Sequence, residues 1–333
     1  MKTYTVAVVG ATGAVGQKMI ETLEKRNFPI GTLKVLASKR SVGKTVTYKE
    51  KEYVVEEALP ESFEGVDFAL FSAGGSVSKE LVPEAVKRGA IAIDNTSAFR
   101  MDPNVPLVVP EVNAHALKGH AGIIANPNCS TIQMMVALKP IYDVYGIDKI
   151  VVSTYQAVSG AGDKAIHELK TQTNEVLTEK EMTKQAFPHQ IAFNVIPQID
   201  VFEENGFTKE EMKMVNETHK ILEDASIEVT PTCVRVPVVF GHSESVYIET
   251  SKSFDLKKVK ELLAKAPGIS VVDNPENKEY PMPIDAEGQY DTYVGRLRRD
   301  LFHENGLNMW VVSDNVLKGA ALNAVQIAEE LIK

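Results

Sequence analysis

Residues 4–9 form a short β-rich run that ends in Gly10, and beyond it Val15, Met19, Ile20 and Leu23 recur at helical spacing. That order predicts strand, turn and helix. The pattern continues with strands at 33–37 and 66–71, a helix over 79–88 and a strand at 90–93. Such alternation predicts an α/β fold with a parallel, doubly wound sheet, whose ligands gather outside the carboxyl ends of the strands. Those ends carry Gly10, Ser72, Gly74 and Ser97, and Arg100 follows in the next loop, where its paired N–H donors suit either an anionic substrate or a surface ion pair. The apolar run 121–125 then reads as a buried strand, stopped by Asn126-Pro127. From Ser130 a helix is predicted with Ile132, Met135, Val136 and Leu138 on one side, so Cys129 falls at a strand-to-helix turn. Backbone N–H groups there favour the thiolate, although a lone cysteine is otherwise often a small buried hydrophobe.

Past this point the pattern changes. A strand at 149–157 leads into the glycine loop Val158-Ser159-Gly160-Ala161-Gly162 and a polar helix over 165–177. Thr208 and Glu211 predict a capping box for a helix to Leu222, with Met212, Val215 and Leu222 inward. Glu217 and Lys220 share one face of it, and helical spacing alone predicts both solvated. Period-two alternation runs from Cys233 through His242 to Thr250, 309–315 reads as one more strand, and 316–332 as an amphipathic closing helix. Long strands in succession predict a mixed sheet, hence an α+β second domain. The expected division is 1–127, completed by 316–333, and 128–315.

Composition narrows the function. The 333 residues leave room for two domains, and 44% apolar with 24% charged residues is a soluble, globular mix. A formal charge of -9 argues against nucleic-acid and anionic-membrane partners. No apolar run nears the roughly 20 residues of a membrane span, and Met1-Lys2-Thr3-Tyr4 enters the first strand with no signal-peptide pattern. Cys129 and Cys233 are too far apart in sequence to suggest a metal pair or a disulfide framework, so the cytoplasm is expected. His115 and His120 lie five apart without an HExxH pattern, and no metal is expected. Cys233, within a strand, reads as structural.

The turn Gly10-Ala11-Thr12-Gly13-Ala14-Val15-Gly16 would let a pyrophosphate lie on the helix N-terminus, although glycines in such a turn can be purely steric. Where an NAD site would place a carboxylate, after the second strand, the chain reads Ser38-Lys39-Arg40-Ser41. A guanidinium and hydroxyls suit a 2′-phosphate, so NADP(H) is expected over NAD; the competing reading is a solvated charge run.

These motifs together with Asn126-Pro-Asn-Cys129-Ser-Thr, Gln156-Ala-Val-Ser159-Gly160-Ala-Gly162, Arg235-Val-Pro-Val-Val-Phe-Gly-His242 and Asp314-Asn315-Val-Leu-Lys-Gly319-Ala-Ala closely resemble the aspartate-semialdehyde dehydrogenase family. The resemblance spans the chain. It implies a Rossmann domain and a glyceraldehyde-3-phosphate-dehydrogenase-like catalytic domain that builds a homodimer, with pairing of dimers into tetramers left open. It further implies reduction of L-aspartyl 4-phosphate by NADPH to aspartate semialdehyde and phosphate, on the route to lysine, threonine, methionine and diaminopimelate. Cys129 would be the nucleophile, His242 a general acid/base and Gln156 the group orienting the intermediate. Arg235 would clamp the substrate carboxylate, Glu217 meet its ammonium, and Arg100 with Lys220 hold phosphate, joined by Asn128. Thr12, Gly13, Ala14, Val15, Arg40, Ser41, Ser159, Gly160 and Asn315 would hold NADP, with Gly10, Ser72 and Gly74 lining the strand ends. The segment between Lys220 and Arg235 is shorter than in longer members of that family. N-acetyl-gamma-glutamyl-phosphate reductase offers the same acyl-phosphate chemistry, but its blocked amine would leave Glu217 without an ammonium. A catalytically silent NADP-binding homologue is the reading from another class, against which the joint presence of Cys129, Gln156, Arg235 and His242 argues.

Overall fold

A computed structural model describes residues 2–333. The chain forms two compact units, residues up to Asn128 with Ala320–Lys333, and Cys129–Gly319. Asn128 thus falls with the first unit, and 316–319 with the second.

The first unit comprises β1 (Tyr4–Val9), α1 (Ala14–Lys25), β2 (Ile30–Ala37), the hairpin β3 (Thr45–Tyr48) and β4 (Lys51–Val54), and β5 (Glu56–Glu57). It continues through β6 (Phe68–Phe71), α2 (Gly75–Lys87), β7 (Ile91–Asp94), α3 (Pro110–Asn113) and β8 (Ile123–Ala125). Its main sheet has the order β5-β2-β1-β6-β7-β8 and is parallel throughout. Strand alternation sends Val6 and Val8 into one core and Ala7 and Val9 into another, so the sheet is covered on both faces. Helix α1 presents Met19, Ile20 and Leu23 to the first of these cores. The helix expected over 79–88 begins at Gly75, because Gly74 (φ 98°) turns the chain directly into it.

The second unit holds α4 (Cys129–Tyr145), β9 (Lys149–Gln156), α5 (Asp163–Leu177), α6 (Lys209–Leu222), β10 (Glu228–Arg235) and β11 (His242–Glu249). It is completed by α7 (Leu256–Lys265), β12 (Ile269–Val271), α8 (Pro283–Ala286), β13 (Thr292–Arg299) and β14 (Gly306–Ser313). The sheet order is β10-β9-β11-β14-β13-β12, parallel at its two outer pairs and antiparallel between. Pro231 is accommodated in β10 because that strand lies at the edge.

Three expectations need correction. Helix α4 is not one-sided: every residue from Ser130 to Leu138 is buried, so it is a central helix with no polar face over that length. The continuous strand expected across 233–250 is two strands, separated at 236–241 by a turn through Gly241 (φ 89°). The closing helix over 316–332 begins as a π-helical turn, Leu317–Ala321, and only then becomes α9 (Leu322–Glu330); Val316 through Val325 are all buried, so this half is not amphipathic. Helix α9 packs its Ala324, Val325 and Ala328 into the core of the first unit, and Arg26 of that unit forks onto Glu329 at 2.7 and 2.6 Å.

Candidate active site

The register of the second sheet gathers the chemistry. Gln156 on β9 pairs with Arg235 on β10. Because Ser243 of β11 pairs with Tyr155, His242 stands next along on the row of Gln156, and it pairs in turn with Ser313 of β14. Arg235, Gln156, His242 and Ser313 therefore form one buried row across four strands. Two residues deeper on the same face lies a second row, Cys233, Thr154, Glu244 and Val311. Residues far apart in sequence share this edge only because of register.

Cys129 is the first residue of α4 and is half-buried, so its sulfur meets the N-terminal end of a seventeen-residue helix, where the aligned peptide dipoles favour an anion. Gly319 fixes how closely it is packed, since a Cβ there would stand 2.7 Å from the Cys129 Cβ. Burial lowers the pKa of the Arg235 guanidinium, while Glu210 and Cys129 pull it back up. Guanidinium remains charged under such conditions, so it sets a cation in electrostatic reach of the thiol. Its Nη1 donates to the Ala157 carbonyl at 2.7 Å, and Gly160 packs so near that a Cβ would lie 3.1 Å from that Nη1 and 3.3 Å from His242 Nε2. Cys233 differs in every respect: it is fully buried, and desolvation first, then Glu210, pushes its thiol pKa far up.

Gln156 is held at both ends. Thr154 Oγ1 donates to its Oε1 at 2.9 Å, and its Nε2 donates to Glu210 Oε1 at 3.1 Å. Lys213 bonds the other Glu210 oxygen at 3.0 Å and reaches Asp200 at 3.2 Å. Glu210 was not singled out from sequence, although it lies seven residues before Glu217 on the stripe with Met214, Thr218 and Ile221, which is the buried face of α6. The inward face expected from Met212 and Val215 is thus rotated, those two being half-buried. Glu217, expected to be solvated, is 1% exposed, and Lys220 is half-buried. The predicted capping box is present, with Glu211 N donating to Thr208 Oγ1 at 3.3 Å and Thr208 N to Glu211 Oε2 at 2.6 Å, a cap worth about 1 kcal/mol. Glu211 also accepts from Cys233 N at 2.9 Å, tying the helix to β10.

His242 is 0% exposed, and its Nδ1 accepts the Ala157 main-chain N–H at 3.0 Å. The neutral ring must therefore carry its hydrogen on Nε2, and a second proton could enter only by giving up the Ala157 bond. Desolvation, followed by the Arg235 charge, lowers its pKa to about 3. Because the folded value lies below the ordinary histidine value of about 6.5, the stabilisation is complete above that value and is lost as pH falls toward the folded one. The His242 ring resonances should accordingly stay fixed in an NMR titration from about pH 8 to 5 while an ordinary histidine moves through its midpoint near 6.5. A midpoint near 6.5 for His242 would contradict this geometry.

Ser159, Gly160 and Asn315 also lie in this unit. Asn315 Nδ2 donates to Ser159 Oγ at 3.0 Å, and its Oδ1 accepts from Gly241 N at 2.9 Å, joining the glycine loop to the turn before β11.

The remaining expected residues belong to the first unit. Gly10 has φ 87° and a Cβ on it would meet Ser72 Oγ at 2.9 Å; a Cβ on Gly16 would stand 2.1 Å from the Gly10 carbonyl oxygen, so the turn and α1 can approach only as glycines. Gly13 caps α1, with Ala14 and Val15 following at its N-terminal end, and Gly74 caps α2. Ser41 lies in a short 3₁₀ turn after β2 and accepts from Thr12 Oγ1 at 3.2 Å, beside an exposed Arg40. Such a cradle fits the phosphates of a dinucleotide. Arg100 is buried, its Nη2 donating to the Asn95 carbonyl at 2.9 Å, and Asn128 is buried immediately before Cys129. Among the described residues no cluster of three histidine, cysteine or acidic side chains is placed to hold a metal, and no helix is long and apolar enough to cross a membrane.

Residues 5–120 match the family model "Semialdehyde dehydrogenase, NAD binding domain", and residues 138–318 match "Semialdehyde dehydrogenase, dimerisation domain". The chain is 60% identical to the aspartate-semialdehyde dehydrogenase of Bacillus subtilis, over 98% of its own length and 97% of the relative's. Among solved structures it superposes on aspartate-semialdehyde dehydrogenase II of Vibrio cholerae complexed with ASA at a TM-score of 0.98, with 51% identity over 100% of this chain and 99% of that one. A more distant match is the Candida albicans aspartate-semialdehyde dehydrogenase with NADP, at a TM-score of 0.79 and 27% identity over 99% of each chain.

Proposed function

The chain belongs to the aspartate-semialdehyde dehydrogenase family, and from that premise we propose that it converts L-aspartyl 4-phosphate to L-aspartate 4-semialdehyde and phosphate through a thioester on Cys129, with NADPH as reductant. The observation that carries this reading is the row Arg235, Gln156, His242 gathered by strand register in the unit where Cys129 opens α4. The Cys129 thiolate attacks the acyl carbon, the bond to phosphate oxygen breaks, and the departing phosphate takes up the one proton the overall reaction consumes. Bound NADPH would supply hydride to the thioester carbonyl. Expulsion of the Cys129 thiolate from the resulting tetrahedral centre restores a carbonyl, so that oxygen needs stabilisation as an oxyanion and no proton of its own. His242 Nε2–H is suited to donate that hydrogen bond, which refines the acid/base role implied by resemblance. Gln156, locked by Thr154 and Glu210, orients the intermediate; Arg235 clamps the substrate carboxylate, Glu217 meets the ammonium, and Arg100, Lys220 and Asn128 serve phosphate.

For the cofactor, Thr12, Gly13, Ala14 and Val15 would take the pyrophosphate and Arg40 with Ser41 the 2′-phosphate, while Ser159, Gly160 and Asn315 serve the nicotinamide end. Arg40→Ala is expected to narrow the NADPH over NADH preference in kcat/KM by the worth of a charge-assisted contact, about 1.5–3 kcal/mol. Equal efficiency of the parent with both cofactors would overturn the NADP reading.

A homodimer is proposed through the open face of the second sheet, where Val151 and Tyr155 are exposed and the Tyr155 ring lies tilted against Trp310, centroids 5.4 Å apart, beside a cavity of about 310 Å³ lined by Tyr280, Met282 and Met309. Sedimentation would tell dimer from tetramer. Side-by-side assays on aspartyl phosphate and N-acetyl-glutamyl phosphate test the substrate: turnover of the first is expected, and preference for the second would overturn it.

A further inference from the structure

Glu244 stands in the deeper row, opposite Thr154 of β9 and Val311 of β14, on the strand and face that carry His242. It is 0% exposed, and neither of its oxygens finds a hydrogen-bond partner among the described residues. Gln133, its neighbour from α4, has an equally orphaned Oε1, while its Nε2 donates to the His242 main-chain oxygen at 3.3 Å. Gln133 lies one helical turn beyond Cys129 on the same helix. An ionised carboxylate so placed would bear the full cost of desolvation, whereas a carboxylic acid needs only an acceptor for its O–H.

We propose that Glu244 is held as a neutral carboxylic acid that donates to Gln133 Oε1, and that this bond is a positioning device setting the helix that begins at Cys129 against the strand that begins at His242. The surroundings of Glu244 favour the neutral form, the Gln133 amide excepted. Burial raises its pKa well above the carboxylate range, offset in part by the Gln133 amide. Thr154 and Cys233 of the same row are uncharged, and the α6 charges that act on Cys233 are the acidic Glu210 and Glu211. Arg235 in the row above is engaged by Ala157, and Lys213 by Glu210 and Asp200. Neutrality also has a consequence for the chemistry, since a second negative charge behind α4 would oppose ionisation of the Cys129 thiol.

The positioning half rests on Cys129 being the nucleophile, whereas the protonation half does not, so the two are tested separately in the full-length protein. Infrared difference spectra of the parent against Glu244→Gln should contain a protonated-carboxyl C=O band that the variant lacks and that persists across the neutral range. Absence of that band would mean Glu244 is ionised and would overturn the proposal, whatever the activity. The rate of Cys129 alkylation against pH, followed by mass spectrometry of its peptide, reads the positioning. Glu244→Leu should move the thiol midpoint upward and lower kcat about tenfold to a hundredfold with a smaller change in KM, as expected of a slight misplacement. Glu244→Gln, whose amide can still donate to Gln133 Oε1, should rescue both. A parental alkylation profile and kcat in Glu244→Leu would overturn the positioning role, and should that variant fail to fold, a Glu244→Gln profile as displaced as that of Gln133→Leu would do the same.

Discussion

Cys129→Ser is expected to fold and bind NADP as the parent does yet lose turnover by at least about a thousandfold, because a serine hydroxyl is scarcely ionised near neutral pH and lacks the nucleophilicity of a thiolate. The site is built for the anion: a helix N-terminus beneath the sulfur and the Arg235 guanidinium within electrostatic reach both favour S⁻ and do little for a hydroxyl. Cys233→Ser should leave turnover largely intact, since that thiol is sealed in the core and held protonated. Mass spectrometry of enzyme quenched during turnover should find an acyl adduct of substrate mass on the Cys129 peptide. Turnover near the parent rate in Cys129→Ser, with no adduct in the parent, would dismiss the covalent route.

Arg235→Lys should be nearly as informative. The change keeps a charge but removes the planar fork, one arm of which is already committed to the Ala157 carbonyl. Losing a charge-assisted contact of about 1.5–3 kcal/mol lowers kcat/KM by about 10- to 150-fold. A substrate carboxylate held off by part of an ångström also misplaces the reacting carbon, so kcat should fall along with the rise in KM. The smaller head of lysine further frees space beside Gly160 and His242, which Arg235 now fills. Steady-state kinetics with unchanged kcat and KM would make Arg235 a structural residue.

The nucleotide-binding half was readable because its signals are local. A strand buried on both faces reads as an apolar run, and a βα turn that must bend at Gly10 and pack at Gly16 has to show glycines in the sequence. Residues 251–300 gave no elements, although α7, β12 and β13 lie there. In β13 the register shifts between Gly295 and Arg298, with Arg296 at φ 54°, which breaks the period of two that would have marked a strand. Helix α4 and the closing segment are legible as helices, but the one-sided faces expected of them are absent, because burial on all sides leaves no polar stripe to set the phase. Among the residues proposed for the site, Cys129 stood out by position and His242 and Arg235 by motif. Glu210, Gly319 and Glu244 did not, since what each touches is decided by cross-strand register or helix packing, neither of which has a periodic trace in the chain.

The return of the chain to its first unit has a consequence for how the protein is made. Ala321, Ala324, Val325 and Ala328 sit in one core with Val6, Val8 and Ile20, and Asn323 donates to the Val108 carbonyl at 2.9 Å and to Asn126 at 2.6 Å. A ribosome adds about 5–20 residues per second, so the strands of the first sheet leave the tunnel well before the helix that seals one of their faces, with the whole of 129–319 synthesised in between. During that interval the nascent sheet exposes an apolar face. The nucleotide-binding half, although encoded first, is therefore completed only once the closing helix has been made.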